Sequence, residues 1–290
     1  MSTTFQIDTS TSRANPTPAP MKRLTVPRIR ARKQDGVTDE PLVMLTAYTA
    51  RQAQLLDAHC DMLLVGDSLG QVIYGLPSTI PVTLDMMANH AAAVVRGSYH
   101  SVVVVDMPFG SYEQSPQQAF DSASTLLKSS GAAAVKLEGG QAMAETVAFL
   151  TQRGIPCMGH VGLTPQAVNV LGGYMARGRS DAEADKIVGD ARALDEAGAF
   201  AIVVEGVVEP IAVAATQAVA APTIGIGASA KCDGQVLVTE DMLGMFERVP
   251  RFVKKYGDIA EFISDTARQY ASEVRDRSFP GEAQTYQTKS

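Results

Sequence analysis

The sequence predicts an α/β protein with the (β/α)8 TIM barrel fold, and two observations support this prediction. Short apolar runs suited to buried strands alternate with helical segments about eight times along the chain. Polar residues follow most of these runs, at the point where a parallel strand leaves its sheet. A doubly wound open sheet is the alternative, but it needs fewer strands and one crevice. No G-x-G-x-x-G follows the first strand and no Walker A pattern occurs, so we favour the barrel.

Length and composition restrict the classes of function. The chain has 290 residues, of which 46% are hydrophobic, and its formal net charge is −6. An acidic chain without a clear basic surface pattern is not expected to bind nucleic acid. No run approaches the roughly 20 apolar residues of a membrane span. The polar start lacks the apolar region of a secretory signal, so we expect no membrane partner.

The three cysteines indicate the compartment. Cys60, Cys157 and Cys232 are far apart and lack metal-ligand spacing. Such cysteines are typical of reduced thiols in a cytoplasmic protein, so we expect a cytoplasmic location. A catalytic role for one of these cysteines is the alternative, but polar residues at the strand ends already provide reactive groups.

Composition along the chain predicts one folded domain between two tails. Residues 1–20 are rich in Ser, Thr and Pro and are expected to be disordered. Residues 21–280 are expected to form the barrel, and residues 281–290 a polar tail.

Each barrel element has a local signal. Capping residues predict helix starts at Thr83, at Ser115 before Pro116 and at Ser180, and Gly198 suits the end of the helix that Ser180 begins. A short helix is expected over 24–33. The strands are expected at 43–47, 63–66, 101–105, 133–137, 155–159, 201–204, 222–226 and 235–238. The remaining helices are expected at 50–60, 83–96, 116–130, 141–153, 181–197, 210–220 and from the last strand to about residue 277.

Two long loops and one glycine pair suggest function. Residues 67–81 and 161–179 form loops longer than most βα connections. The glycines of 161–179 predict a lid that becomes ordered over substrate. Gly225 and Gly227 offer an anion-binding nest, but no basic residue follows closely, so close packing is the preferred interpretation.

Polar residues at the strand ends should meet at one mouth of the barrel. The four carboxylates among them would repel one another unless cations lie between them. The one lysine supplies a single positive charge, which four carboxylates exceed. A divalent ion with oxygen ligands is the natural solution, and Asp67 and Asp106, on adjacent strands, are the best pair for Mg²⁺. The alternative is that each acid caps its own following helix. For His160, a metal ligand, a substrate contact and a structural role all remain open. The full set is Thr46, Asp67, Ser68, Asp106, Lys136, Glu138, His160 and Glu205.

Six sequence blocks occur in one order along the chain: LVGDSLG at 64–70, DMPF at 106–109, VKLEGG at 135–140, GHVGLTPQ at 159–166, GGY at 172–174 and GIGA at 225–228. Together these blocks resemble the ketopantoate (3-methyl-2-oxobutanoate) hydroxymethyltransferase family. The resemblance runs from about residue 25 to 282 and implies a barrel of the phosphoenolpyruvate/pyruvate superfamily type. It also implies transfer of a hydroxymethyl group from 5,10-methylenetetrahydrofolate to 3-methyl-2-oxobutanoate. The reaction would pass through a metal-stabilised enolate. Its product would be 2-dehydropantoate, on the route to pantothenate and coenzyme A.

The resemblance also implies roles for individual residues. Asp67 and Asp106 would be ligands of Mg²⁺, and Glu138 would reach the metal directly or through water. Glu205 would be the catalytic base. The family is commonly a large homo-oligomer, often a decamer. Substrate-binding roles are expected for Asp67, Ser68, Asp106, Lys136 and His160.

Two other functions fit the same residues. A folate-independent carbon–carbon lyase or phosphonomutase of this barrel type would share the metal and the keto acid, but its usual Lys-Cys-Gly loop is missing. A barrel that senses a metal–keto acid complex without turning it over is the third hypothesis.

Overall fold

Eight parallel strands close into a barrel, as the sequence predicts. The structure is a computed structural model that describes residues 22–34 and 36–286; the tail predicted for residues 1–20 lies outside the described residues. The closed order is β10-β3-β4-β5-β6-β7-β8-β9, with every neighbouring pair parallel. The strands are β3 (Leu42–Thr46), β4 (Met62–Val65), β5 (Val102–Asp106), β6 (Ala134–Glu138), β7 (Cys157–Gly162), β8 (Ala201–Glu205), β9 (Thr223–Ile226) and β10 (Gly234–Leu237).

The apolar strands supply two layers of core because side chains alternate along a strand. In β4, Met62 and Leu64 join the cluster inside the barrel, whereas Leu63 and Val65 join the layer between strands and helices. Burial on both faces explains why the strand sequences are continuously apolar rather than alternating.

The predicted helix caps are present. Thr83, Ser115 and Ser180 each accept a hydrogen bond from the backbone N–H three residues later. Gly198 has φ +93° just beyond the helix that Ser180 begins. Within the described ranges, no helix is long and apolar enough to cross a membrane. The helices are α1 (Val26–Arg30), α2 (Ala50–Leu56), α3 (Leu69–Val72), α4 (Leu84–Gly97), α5 (Pro116–Ser130), α6 (Ala144–Thr151), α7 (Val168–Leu171), α8 (Asp181–Glu196), α9 (Glu209–Gln217), α10 (Thr239–Met242) and α11 (Ile259–Arg275).

The prediction of a helical remainder after the last strand is wrong in part. Only α10 and α11 are helical there, and residues 243–258 form an irregular segment. Pro250 and two glycines, Gly244 with φ +73° and Gly257, interrupt the helical pattern. None of the residues of α11 is buried, although Phe262 and Tyr270 are large and apolar.

A short hairpin that the sequence did not predict lies between α1 and β3. Its strands are β1 (Lys33–Gln34) and β2 (Val37–Thr38). The buried Lys33 Nζ lies 2.9 Å from Asp233 Oδ2, at the amino end of β10. Thr38 Oγ1 donates to the other oxygen of Asp233 at 2.7 Å. A buried charge needs such a partner, so the pair holds the hairpin against the end of the barrel opposite the strand-end residues.

Candidate active site

The predicted strand-end residues meet at the carboxyl ends of the strands. Asp106 and Lys136 are register partners on β5 and β6, and Glu138 and His160 are partners on β6 and β7. A cavity of about 240 Å³ opens between them. All eight residues of the predicted set line it: Thr46, Asp67, Ser68, Asp106, Lys136, Glu138, His160 and Glu205.

Lys136 is the positive centre of the site. Its buried ammonium lies 3.1 Å from Asp106 Oδ1 and 3.3 Å from His160 Nδ1. Burial alone would lower the pKa of Lys136, but the negative charges of Asp106, Glu138 and Asp67 outweigh it and raise the pKa above its usual value. Lys136 is therefore a permanent cation facing the cavity.

His160 connects Lys136 to Glu205. Because an ammonium can only donate, His160 Nδ1 accepts from Lys136 and its ring proton must be on Nε2. Nε2 lies 3.2 Å from Glu205 Oε2, within bonding distance although not aligned as a hydrogen bond. Burial, and then the charge of Lys136, lower the pKa of His160, so the imidazole is neutral. A neutral histidine can orient the Glu205 carboxylate without removing its charge.

Asp67 and Asp106 are held side by side. The backbone N–H of Asp67 donates to Asp106 Oδ2 at 3.0 Å. Gly66 lies between the end of β4 and Asp67. A Cβ added at Gly66 would lie 2.7 Å from Ser68 Oγ. Glycine at this turn therefore leaves room for the Ser68 hydroxyl in its observed position. The two carboxylates lie together, as the sequence predicts.

Gln166 is a site residue that the sequence analysis missed. Its side-chain amide donates to Asp67 Oδ2 at 2.8 Å and to the Met107 carbonyl at 2.9 Å, and its backbone N–H donates to Glu138 Oε2 at 3.0 Å. Tyr112 OH donates to Gln166 Oε1 at 2.6 Å, which fixes the orientation of the amide. The only sequence signal was its place in the GHVGLTPQ block, since no local periodicity points to it.

Two hydroxyl contacts position the other polar residues. Ser68 Oγ lies 2.8 Å from the hydroxyl of Tyr48, which is buried. Thr46 is used structurally: its Oγ1 accepts from the Thr239 N–H at 2.9 Å, which ties the end of β3 to the start of α10. Ser68 is thus oriented at the cavity, whereas Thr46 is part of its wall.

The carboxylates exceed the positive charge available to them. Burial, followed by the charge of Asp106, raises the pKa of Asp67 to about 7. Burial and the charge of Asp67 also raise the pKa of Glu138 well above its usual range. Asp106 Oδ1 has no hydrogen bond, but it is ion-paired with Lys136 Nζ at 3.1 Å, so this lysine is already engaged by one of the acids. Hard oxygen ligands and uncompensated negative charge suit a divalent cation.

A complete cage for a metal is not present. Across residues 22–34 and 36–286, no group of three or more His, Cys, Asp or Glu side chains is arranged to hold a metal ion. This does not conflict with Mg²⁺, which is usually bound through one or two carboxylates together with water and substrate oxygens.

The long loop after β7 is only partly free. Its first part is anchored through the buried Gln166, and Arg177 is fixed by its N–H to the Gly206 carbonyl at 2.7 Å. Between these points the chain forms α7, and Val170 and Met175 are 89% and 60% exposed. These anchors leave only the central stretch available for the lid that the sequence predicts over 161–179.

The glycine pair after β9 and the cysteines have structural settings. An added Cβ at Gly227 would lie 2.6 Å from Phe252 Cδ1, so this glycine provides close packing, the preferred interpretation. Cys60, Cys157 and Cys232 are buried free thiols that do not line the cavity. Burial raises the pKa of the Cys60 and Cys157 thiols to about 12, which makes them poor nucleophiles.

Comparison with known proteins gives consistent matches. A family model described as ketopantoate hydroxymethyltransferase matches residues 23–282. A protein of Erythrobacter litoralis named 3-methyl-2-oxobutanoate hydroxymethyltransferase is 88% identical over 289 residues, covering 100% of both chains. A protein of Novosphingobium aromaticivorans with the same name is 83% identical, again covering 100% of both.

Solved structures agree on the fold. The crystal structure of a 2,3-dimethylmalate lyase, described as a PEP mutase/isocitrate lyase superfamily member, matches with a TM-score of 0.55 and covers 91% of this chain and 92% of its own. At 14% identity this likeness concerns the barrel alone.

Proposed function

The chain belongs to the ketopantoate hydroxymethyltransferase family, and we propose that it transfers a hydroxymethyl group from 5,10-methylenetetrahydrofolate to 3-methyl-2-oxobutanoate. It is a transferase, consistent with a role in pantothenate biosynthesis. The observation that carries the proposal is a single cavity that holds both the Glu205 carboxylate and the Lys136 cation. The neutral His160 lies between these two groups and contacts both of them.

Glu205 is the base in this proposal. Carbon 3 of the keto acid becomes acidic because the neighbouring ketone can accept the electrons left after the proton departs. Glu205 takes that proton on a carboxylate oxygen, with His160 Nε2 beside it at 3.2 Å. His160 remains neutral throughout, so the negative charge needed for proton abstraction stays on Glu205.

Lys136 and Ser68 bind the keto acid. The Lys136 ammonium can pair with the substrate carboxylate or keto oxygen, because it faces the cavity as a buried cation. The Ser68 hydroxyl, 2.8 Å from Tyr48 OH, is oriented to donate to a substrate oxygen. Leu64, Val203 and Ile226 line the same cavity and offer an apolar wall to the branched end of the substrate.

Mg²⁺ fits the acidic side of the cavity. Asp67 and Asp106 would hold it, with Glu138 near enough to bind directly or through water. The support is the surplus of buried carboxylates over the single positive charge of Lys136. When bound, the ion supplies positive charge that stabilises the enolate oxygen.

The overall reaction balances with one water. Carbon 3 loses its proton to Glu205 and forms a bond to the methylene carbon. That carbon leaves both folate nitrogens, water provides the new hydroxyl oxygen, and tetrahydrofolate is released with 2-dehydropantoate. Folate is therefore a co-substrate that must reach the same cavity as the keto acid.

Assembly and location belong to the same proposal. A homo-oligomer, and a decamer in particular, is what the family resemblance implies, and the exposed apolar residues of α11 favour contact between copies. The mass of the native assembly in solution tests this point. A cytoplasmic location is supported by the three cysteines, which remain buried thiols.

Turnover tests the proposal directly. The purified enzyme with Mg²⁺ should form 2-dehydropantoate from 3-methyl-2-oxobutanoate only when 5,10-methylenetetrahydrofolate is present. Cleavage of a keto acid without folate would favour the lyase alternative. Binding of the keto acid without any turnover would favour the sensor.

A further inference from the structure

The rim of the active-site cavity differs in chemistry from its floor. The floor holds the strand-end acids and Lys136. Three regions outside the strands also line the cavity: the segment after β4, the loop after β7 and the segment after β10. The last two form the part of the rim that includes Tyr174, Asp241 and Phe252. If the proposed function holds, the folate must present its one-carbon unit to the keto acid through this rim, because the methylene carbon and carbon 3 have to meet in one cavity.

Asp241 has a carboxylate that no hydrogen bond or ion pair engages within the described residues. It lies on α10, half-buried, and lines the cavity. In the described part of the chain its carboxylate has no hydrogen-bond donor or ion pair; the influences on its pKa are burial, which raises it, and the more distant charge of Lys255, which lowers it. Its neighbour Glu240, by contrast, accepts from Gln52 Nε2 at 3.0 Å. A half-buried carboxylate on a cavity wall is suited to accept hydrogen bonds from a ligand.

Phe252 and Tyr174 supply aromatic surface to the same cavity. The ring of Phe252 packs on Gly227, where an added Cβ would lie 2.6 Å from Cδ1, so the ring is supported from behind. Phe252 is nevertheless 40% exposed and Tyr174 is 52% exposed. Burial, followed by the charges of Asp67 and Glu205, raises the pKa of Tyr174, consistent with a phenol facing the acidic floor.

We propose that Tyr174, Asp241 and Phe252 form the subsite for the pterin ring of the folate. A pterin is flat and aromatic, so it can stack on Phe252 and Tyr174. Its N3–H and 2-amino group are two parallel donors on one edge, and they match the two oxygens of Asp241. Pterin placed on this rim lies against the mouth of the cavity that contains Glu205.

A second apolar groove is less suitable. It lies beside Phe109 and Val170 and has a volume of about 310 Å³. Glu138 lines both this groove and the active-site cavity, but Ser68, Lys136 and Glu205 line the cavity and not the groove. A folate in that groove would lie away from the groups proposed to bind and deprotonate the keto acid, so Phe109 provides a matched control for Phe252.

The test measures tetrahydrofolate binding by calorimetry in the intact enzyme with Mg²⁺ and keto acid present. Asp241→Asn should raise the Kd for tetrahydrofolate by about tenfold or more, since a charge-assisted pair of hydrogen bonds is weakened. Phe252→Ala should raise it by about fivefold or more through lost stacking, and Phe109→Ala should leave it within about twofold. Unchanged affinity in both Asp241→Asn and Phe252→Ala, or a loss in Phe109→Ala alone, would overturn the subsite.

A folate-independent reaction separates this inference from the proposed function. Exchange of the carbon 3 proton of the keto acid with deuterated water needs Glu205 but no folate, so Asp241→Asn and Phe252→Ala should keep it within about twofold of wild type. This result also shows that the variants are folded. If wild type itself exchanges no proton, the proposed function fails, whatever the folate affinities are.

A folate analogue identifies the pterin edge. A 2-deamino-2-methyl analogue of tetrahydrofolate lacks one donor to Asp241 and should bind wild type about tenfold or more weakly than tetrahydrofolate. Asp241→Asn should distinguish the two ligands much less, because the affected partner is already altered. Equal discrimination by wild type and Asp241→Asn would show that another residue reads this edge, and the assignment of Asp241 would be wrong.

Discussion

His160 Nε2 lies 3.2 Å from Glu205 Oε2, and His160 Nδ1 lies 3.3 Å from Lys136 Nζ. The imidazole therefore joins the proposed base to the positive centre of the site. Only the Nε2–H tautomer satisfies both contacts, because Lys136 must donate. The orientation of Glu205 thus depends on a side chain from the neighbouring strand β7.

Replacement of Glu205 tests its role as the base. Glu205→Gln keeps the shape of the side chain and removes its ability to take a proton. Deuterium exchange at carbon 3 of 3-methyl-2-oxobutanoate, followed by NMR, should slow by about 10²–10⁴-fold. Keto acid affinity should change far less. Exchange at the wild-type rate would assign the base to another residue, with Glu138 tested next, and the exposed Glu196→Gln serves as the control.

Replacement of His160 tests the positioning of Glu205. His160→Ala should slow the same exchange by about tenfold to a hundredfold, because the carboxylate loses its neighbour. His160→Gln should recover part of that loss, since one amide can accept from Lys136 and donate towards Glu205. Equal rates in the two variants would show that His160 does not act by orienting Glu205 through this contact.

Removal of an acid tests the metal site. Asp67→Ala should lose most Mn²⁺ binding, measured by electron paramagnetic resonance with Mn²⁺ in place of Mg²⁺, while circular dichroism shows an unchanged fold. Asp121→Ala, at an exposed position on α5, should bind as wild type. Full turnover in excess EDTA would contradict any metal requirement.

Asp57 predicts a pH-dependent contribution to stability far from the active site. Its carboxylate accepts from Ser98 Oγ at 2.7 Å, from the Tyr99 and His100 N–H groups at 2.8 Å and from the Ser101 N–H at 2.9 Å. Burial would raise its pKa, but these bonds, with that of Ser101 foremost, outweigh burial and lower the pKa below 3.8.

Asp57→Asn should lower the free energy of unfolding at pH 7 by about 2–4 kcal/mol, because hydrogen bonds to a charged group are lost. The wild-type advantage should persist above pH 3.8, near the unfolded-state pKa, and disappear as pH falls through the lower folded-state value. Thermal unfolding of both proteins from pH 7 downwards measures the difference. An advantage that grows on acidification would contradict the assignment, and Asp121→Asn should show no such change.

The loop after β7 should respond to substrate only in its centre. Residues 167–176 should gain protection from hydrogen exchange when the keto acid and tetrahydrofolate bind, because exposed Val170, Tyr174 and Met175 become covered. The hydrogen-exchange protection of the Gln166 backbone N–H, which already donates to Glu138, should change little. Equal protection of the centre with and without ligands would show that it is not a lid.

The sequence by itself determined the barrel and the acidic floor of its cavity. Buried parallel strands need continuous apolar runs, and helix starts need capping side chains, so both signals are local and readable. The strand-end rule then placed Asp67, Asp106, Lys136, Glu138, His160 and Glu205 together, because parallel strands share one carboxyl end. The same local logic failed after β10, where a helix was predicted through Gly244 and Pro250 although both residues interrupt it.

Only the tertiary structure decided how those residues are held and what surrounds them. Gln166 meets Asp67 across 99 positions of sequence, and Lys33 meets Asp233 across 200. No local hydrophobic periodicity or capping residue indicates either pair, because each contact forms only when the barrel has closed. The rim residues Tyr174, Asp241 and Phe252 belong to this second class, because irregular loops acquire their positions from packing, as Phe252 does on Gly227.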